Sequence, residues 1–433
     1  MRSTVRFTHT PPAPPENGSV MSDRIAPRLH LIDVADSRDG FTLRDYLTRS
    51  AIPFTSDTAT PPFAGEVHGV DLTNRRLPVL LIDGAVVLED PSPAEVAMHL
   101  GWVLPPRRRR YDVLIFGAGP AGLSAAVYAA SEGLDVAVIE RDAVGGQAGS
   151  SSLIENYLGF PNGISGAELA DHARQQAVRF GAEFVLMREG VDRTFRDHDV
   201  RAVLADGSRL DADAAVCATG IQWRRLGLAR EAEYFRAGVY YGAGTSEAPA
   251  CADQDVYVVG GANSAGQAAM NLAAYARCVT LIVRGPSLSS TMSSYLSTRV
   301  LTHPRIRVLT DARVVGLDGD TRLRQITLDE HGALRTLPAR HLFVCIGGDP
   351  NTRWAAQTDV ELDARGFVAT GPDLTPEQRA AWPLARDPFF LETSVPGIFA
   401  AGDVRSNSIK RVASAVGEGA MAVTLVHRYL SAG

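Results

Sequence analysis

Six residues, Gly117-Ala118-Gly119-Pro120-Ala121-Gly122, follow an apolar run and lead into a helix-forming stretch. Glycines at this spacing let backbone N–H groups approach a pyrophosphate, with the positive end of a helix behind them. A second run, Gly260-Gly261-Ala262-Asn263-Ser264-Ala265, repeats the pattern later in the chain. Two such cradles imply two dinucleotides in one protein and electron transfer between them. A thiol relay between them is missing. The four cysteines, Cys217, Cys251, Cys278 and Cys345, include no Cys-x-x-Cys. Neither a local redox dithiol nor a zinc ribbon is available, and no other metal-ligand motif stands out.

A cradle of this kind needs a strand before it and a helix after it. Tyr111 to Phe116 reads as that strand, Leu123 to Glu132 as the helix, and Leu134 to Ile139 as a second strand ending at Glu140. Glu140 lies 21 residues past Gly119, where a carboxylate reaches both ribose hydroxyls. The second unit runs from a strand, Asp255 to Val259, through a helix, Asn263 to Arg277, to a strand from Cys278 to Val283. Gly260, Ser264 and Ala265 would line its pyrophosphate. It departs from the pattern at Ala262, whose methyl crowds the phosphates. At its second strand end stands Arg284 rather than an acid, which suits a 2′-phosphate and hence NADPH over NADH.

Further motifs follow in order: Gly145-Gly146-Gln147, Glu155-Asn156-Tyr157, Cys217-Ala218-Thr219-Gly220, Cys345-Ile346-Gly347-Gly348-Asp349-Pro350, Ala401-Gly402-Asp403 and Arg411-Val412-Ala413. With these, residues 111 to 430 resemble low-molecular-weight thioredoxin reductases. The resemblance implies two Rossmann-like nucleotide-binding domains of the three-layer ββα kind, the first binding FAD and the second NADPH. Gly117, Gly119, Pro120 and Ala121 would cradle the FAD pyrophosphate and Glu140 would hold its ribose. Gly146 and Gln147 would sit beside the isoalloxazine, with Asn156 close by. Gly402 and Asp403 would meet the ribityl or phosphate oxygens. The N–H groups of Val412 and Ala413 would face the pyrimidine end, although the family commonly has Gln where Val412 stands. It also implies a homodimer.

In that family a cysteine pair precedes the second cradle. Here the segment reads Gly238-Val239-Tyr240-Tyr241-Gly242-Ala243-Gly244-Thr245-Ser246-Glu247, and the two cysteines fall on Gly242 and Thr245. The expectation is an FAD-dependent oxidoreductase that is not a thioredoxin reductase. Electrons would pass from NAD(P)H through FAD to a small molecule or a protein. The small residues would leave an opening beside the flavin, with Thr245 and Glu247 as candidate catalytic groups there. Glu247 can equally be an exposed carboxylate at a helix start. Tyr240, Tyr241 and Tyr295 could stack on a ligand or simply pack. Two alternatives stay open: an FAD oxidase or dehydrogenase using O₂, and a non-catalytic flavin sensor or scaffold.

The chain has 433 residues, 45% of them hydrophobic and 21% charged, which suits several soluble α/β domains. A net charge of −6 gives no reason to expect nucleic acid or an anionic membrane. The start of the chain has no apolar core, so no signal peptide is expected, and reduced thiols in the cytoplasm fit. Residues 1–28 are rich in Pro, Thr and Ser and read as a disordered tail. Residues 29–104 read as a small α/β module. Its strand and helix order resembles thioredoxin or glutaredoxin, with Leu77-Pro78-Val79 at the family's cis-proline place and Asp36-Ser37-Arg38 where its dithiol would be. A docking or dimerisation role suits such a degenerate module. Residues 105–110, with Arg107 to Arg110, read as a stiff solvated linker. The expected divisions are residues 111–224 with 349–433 for FAD and residues 225–348 for NAD(P).

Overall fold

The computed structural model describes residues 27–34, 37–60, 66–196, 199–242 and 246–431. The tail expected at 1–28 lies outside the described residues except at Pro27 and Arg28, and Asp36 and Thr245 lie outside them as well.

The first sheet is small. Its strands are β1 (Leu29–Val34), β2 (Phe54–Ala59), β3 (Val79–Ile82) and β4 (Val86–Glu89), in the order β2-β1-β3-β4. β1 and β2 are parallel, and the other pairs are antiparallel. Helix α1 (Arg38–Arg49) starts on Ser37, whose hydroxyl accepts from Gly40 N. Helix α2 (Pro93–His99) has the capping box expected of Ser92 and Glu95. The Leu77–Pro78 bond is cis.

The second sheet carries the first cradle. Its strands are β5 (Arg110–Phe116), β6 (Val136–Glu140), β7 (Glu183–Leu186), β8 (Gly190–Arg196), β9 (Asp199–Leu204) and β10 (Arg209–Cys217). Helix α3 (Pro120–Ser131) joins β5 to β6, and α4 (Gly166–Phe180) precedes β7. The order is β8-β9-β10-β5-β6-β7. β5 is apolar because both of its faces are covered. Val113 and Ile115 face the helices, while Leu114 and Phe116 face the opposite core.

The chain then builds a third sheet. Its strands are β11 (Val239–Tyr241), β12 (Asp255–Val259), β13 (Cys278–Ile282), β14 (Ile306–Leu309) and β15 (Leu342–Val344), all parallel, in the order β11-β15-β12-β13-β14. Helix α5 (Asn263–Ala273) links β12 to β13, α6 (Ser294–Thr302) precedes β14, and an antiparallel meander spans residues 312–338. The chain finally returns to the second sheet. Strand β16 (Ile398–Ala400) pairs in parallel with β10, and α7 (Val412–Leu430) packs on α3. This is an α/β fold with two Rossmann-type units.

Arg107 to Arg110 form no free hinge. Arg108 pairs with Asp135, Arg109 with Asp211 at 3.0 Å and Arg110 with Asp213. Arg110 already belongs to β5. The repeated positive charge meets three aspartates on the sheet, and this fixes the segment to it. Helix α1 bridges both nucleotide units. Arg38 donates to the carbonyls of Ala232, Glu233 and Phe235, each at 3.0 Å. Phe41 packs on Tyr240 with ring centroids 5.1 Å apart. On the other side Arg49 meets Asp142, just past β6, at 2.9 Å.

The third glycine of the first cradle is a packing requirement. A Cβ at Gly122 would stand 1.8 Å from the Gly117 carbonyl oxygen. Gly122→Ala should therefore cost about 1–3 kcal/mol as an overpacking change and loosen the cradle. Thermal unfolding and flavin content of the purified variant read this out. An unchanged Tm with full flavin would contradict the packing described.

Candidate functional site

The first cradle is a helix start left without a cap. α1, α2 and α4 begin on serines whose hydroxyls bond the first-turn N–H groups. α3 begins on Gly119 with no side-chain bond. Its first-turn N–H groups are left for a ligand, which is how a helix N-terminus takes a phosphate. Gly117 has φ +105°, and a Cβ there would meet the Ala218 carbonyl at 2.5 Å. A Cβ at Gly119 would meet nothing within 4 Å, so this glycine faces open space. Pro120 and Ala121 form the first turn.

Other expected residues converge here. A Cβ at Gly146 would lie 3.1 Å from Gly119 Cα, and one at Gly402 would lie 2.8 Å from Ala121 Cβ. Glu140 accepts from Ala118 N at 2.7 Å and from Asp142 N at 2.9 Å, which fixes its carboxylate beneath the loop. Burial raises its pKa, against those two hydrogen bonds. Gln147 donates to the Ile221 carbonyl at 2.6 Å. Burial likewise raises Asp403, and Lys410 donates to the Asp403 carbonyl at 2.7 Å. Val412 and Ala413 open α7, whose N-cap Arg411 makes no side-chain bond. Asn156 is the outlier, exposed in a turn. The residues present fit an FAD at this cradle.

The second cradle has the same design. α5 starts on Ala262, again without a side-chain cap. Gly260 has φ +143°, and a Cβ there would stand 2.3 Å from the Cys345 carbonyl. Ala265 is buried in the first turn beside Ser264. Arg284 is exposed beyond the end of β13 and has no ion-pair partner among the described residues, so it is open to an anion. Two residues escaped the sequence reading. Thr291 donates to the Gly261 carbonyl at 2.7 Å, and Asn263 accepts from Ser293 N at 2.8 Å. They pin the segment after Arg284 over the loop, a tertiary contact with no local motif.

Of the four residues expected to open beside the flavin, only Gly242 is described, and its surroundings are filled. A Cβ at Gly242 would meet the Trp223 ring at 3.0 Å and Ser150 Oγ at 3.7 Å. Cys345 Sγ donates to the Gly242 carbonyl at 3.3 Å. Trp223, from a different strand, takes up room that small residues release. Glu247 is not an exposed carboxylate. It is 5% exposed, and its Oε1 has no hydrogen-bond partner. Burial holds its pKa well above the usual carboxylate range; Asp45 of α1 adds to this and Arg44 opposes it. Tyr240 is a packing residue, stacked on Phe41 and Phe343. Tyr241 is held by Glu231 and Arg225, and Tyr295 is 43% exposed. All four cysteines are free, and burial pushes Cys217, Cys251 and Cys345 up to about 12.

Two uncapped dinucleotide cradles on Rossmann-type sheets define an oxidoreductase that joins two nucleotides. Residues 111–419 match the family model described as pyridine nucleotide-disulphide oxidoreductase. Over 322 residues the chain is 33% identical to a thioredoxin reductase of Treponema pallidum, covering 74% of this chain and 97% of that protein. It is 34% identical to a thioredoxin reductase of Streptomyces clavuligerus, covering 74% and 94%. The thioredoxin reductase structure of T. acidophilum superposes with a TM-score of 0.66 at 29% identity, over 75% of this chain and 99% of that one. The chain belongs to the thioredoxin reductase-like pyridine nucleotide-disulphide oxidoreductases. It is an FAD-dependent oxidoreductase, and its cofactors are FAD and NADPH.

One expectation is corrected. The missing cysteine pair was expected to exclude a thioredoxin reductase, yet relatives with that name align along nearly their whole length. A short segment does not outweigh a shared fold and both cradles. The oxidase and sensor alternatives give way as well, because the chain is an oxidoreductase with FAD and NADPH as cofactors. Among the described residues no helix is long and apolar enough to cross a membrane.

Arg284→Ala should raise KM for NADPH about tenfold, the loss of one charged contact worth ~1.4 kcal/mol, and change KM for NADH little. Steady-state kinetics with both donors checks it; equal effects would refute the assignment. Glu247 gives a pH prediction. A carboxyl whose folded pKa is raised favours the fold below its unfolded pKa, and this stability is lost as pH rises through the folded value. Glu247→Gln should therefore raise Tm at pH 8 relative to the parent protein, with a smaller gain at pH 5. Parallel thermal melts test it, and a gain independent of pH would contradict it.

Proposed function

We propose that this enzyme has a thioredoxin reductase-like function, taking electrons from NADPH and delivering them to a redox-active protein. The observation that carries the reading is the pair of uncapped helix starts, α3 and α5, in a chain that spans 97% of a thioredoxin reductase. Bound flavin supplies the passage of two electrons from the nicotinamide to the acceptor. Gly117, Gly119, Pro120, Ala121, Gly146, Gly402 and Asp403 hold its phosphates and ribityl chain, and Glu140 takes the ribose. Gln147 borders the ring; Asn156, in its exposed turn, is not assigned to it. The N–H groups of Val412 and Ala413 favour negative charge at its pyrimidine end, because they open α7. Gly260, Ser264, Ala265 and Arg284 hold NADPH.

Residues 242–247 contain no cysteine. No dithiol of this segment relays electrons, so the acceptor's own disulfide would take the two electrons that NADPH supplies, with one proton from NADPH and one from solvent, and leave as a dithiol. Residues 29–104 form a degenerate thioredoxin-like module, a reading supported by the sheet order β2-β1-β3-β4. The contacts of α1 with both nucleotide units suit a docking role. The units run over residues 111–224 with 349–433 and over 225–348, and the enzyme works as a cytoplasmic homodimer.

Anaerobic mixing of the yellow protein with NADPH tests the reading. The flavin band at 450 nm or so should bleach. Oxidised thioredoxin should then restore it faster than buffer does. A flavin that stays oxidised, or stays bleached with thioredoxin, would sink it.

A further inference from the structure

His30, Asp57 and His68 lie in the small N-terminal sheet, away from both cradles. Their ligand atoms lie within 4.8 Å of one another, the one such group among the described residues. The backbone explains the meeting. β1 and β2 run parallel with His30 opposite Thr55, and Asp57 lies two residues further along the same face of β2. His68 sits at φ +49° in the turn between the short strands Glu66–Val67 and Val70–Asp71, which folds its ring onto His30 at a centroid distance of 3.9 Å.

Ligation through His30 Nε2 requires the hydrogen on Nδ1, and Thr55 Oγ1, 2.6 Å from Nδ1, is placed to accept it while donating to the Leu29 carbonyl at 3.4 Å. This Nε2 is buried with no hydrogen-bond partner and points at Asp57 Oδ2, 3.3 Å away. In the Nδ1–H tautomer the Nε2 lone pair and the Asp57 oxygen face the same space, and a cation between them would satisfy both. His68 Nε2 stands 2.8 Å from the same oxygen.

We propose that His30 Nε2, His68 Nε2 and Asp57 Oδ2 form a site for a divalent transition-metal ion of the zinc class. Ligand atoms of a tetrahedral zinc ion, held at about 2.0–2.2 Å, lie about 3.3 Å apart. Of the two edges to Asp57 Oδ2, that from His30, 3.3 Å, already matches, and that from His68, 2.8 Å, would open by about half an ångström. Two imidazoles and one carboxylate suit zinc, cobalt, nickel or copper and do not suit magnesium or calcium. Thr55 would be the outer partner that fixes the His30 ring, as ligating histidines require. The side chains of His68 and Asp57 are about half exposed, so the ion has an entry path and a fourth position for water. The ion would tie the turn at residues 66–71 to β1 and β2.

The test uses the full-length, FAD-loaded protein with its affinity tag removed. Isothermal titration with Zn²⁺ should show one ion per chain at micromolar affinity, and Mg²⁺ should show none. His30→Ala and Asp57→Asn should each weaken Zn²⁺ binding by about tenfold or more. His99→Ala, in the same module but outside the cluster, should bind as the parent does. Far-UV circular dichroism and metal-free Tm confirm that the variants fold. Absence of Zn²⁺ binding by the parent would overturn the site and leave an imidazole N–H donating to Asp57 in its place. Equal binding by the parent and the cluster variants would also overturn it.

Discussion

Backbone meets backbone around the first cradle, and the rest of the molecule depends on that approach. A side chain at Gly117 would strike Ala218, one at Gly402 would strike Ala121, and one at Gly419 would stand 2.2 Å from the Ala121 carbonyl. The contacts join β5, β10, the start of α3 and the C-terminal helix α7. They bring segments from opposite ends of the chain to one helix start. Close packing leaves no slack for even a methyl group. It also leaves the first N–H groups of α3 and α7 unsatisfied and aimed into the same space. A dinucleotide satisfies them, so fold and cofactor site have one origin.

A second constraint governs the N-terminal module. Helix α1 carries Asp45 toward a buried region that already holds Glu247, and burial raises both carboxyls. A buried charge is costly unless it is paired. Arg49 answers Asp45 at 3.5 Å and Asp142 at 2.9 Å. Glu247 has no such partner for Oε1, and burial holds its pKa well above the usual carboxylate range. The module therefore does more than sit at the end of a tether. Arg38, Phe41 and Arg49 on one helix touch both nucleotide units, so a change in their relation would have to move α1 too.

The parts of the fold legible in the sequence are those fixed by local rules. Both strand–glycine–helix units read correctly because periodicity and loop chemistry are short-range. The Ser92 capping box and the strand at Leu29–Val34 were legible for the same reason. Contacts between distant segments were not. Trp223 beside Gly242, Phe41 on Tyr240 and Asp45 near Glu247 are each brought together by the tertiary fold, and no spacing announces them. The arginine run misled because composition shows charge but not its partners. The thiol segment misled differently. Its residues were read correctly, but too much of the protein's class was hung on them.

The two cradles are more alike than their sequences suggest, and the reason lies in Ala262. It aligns with Gly119, and both are N-caps with extended backbone, at φ −101°, ψ −178° and φ −74°, ψ −179°. Any residue adopts such angles, so neither position needs glycine for its backbone. At Gly119 a Cβ would meet no protein atom within 4 Å. The fold therefore tolerates a methyl group in either place. The residue that must be glycine for the second loop is Gly260, which has both a positive φ and the Cys345 carbonyl beside it. Ala262 thus leaves the loop intact and acts only on the ligand side, where its methyl sets how closely a pyrophosphate can approach. With the phosphates held further out, the contact proposed for Arg284 at the far end of β13 would carry more of the discrimination between donors.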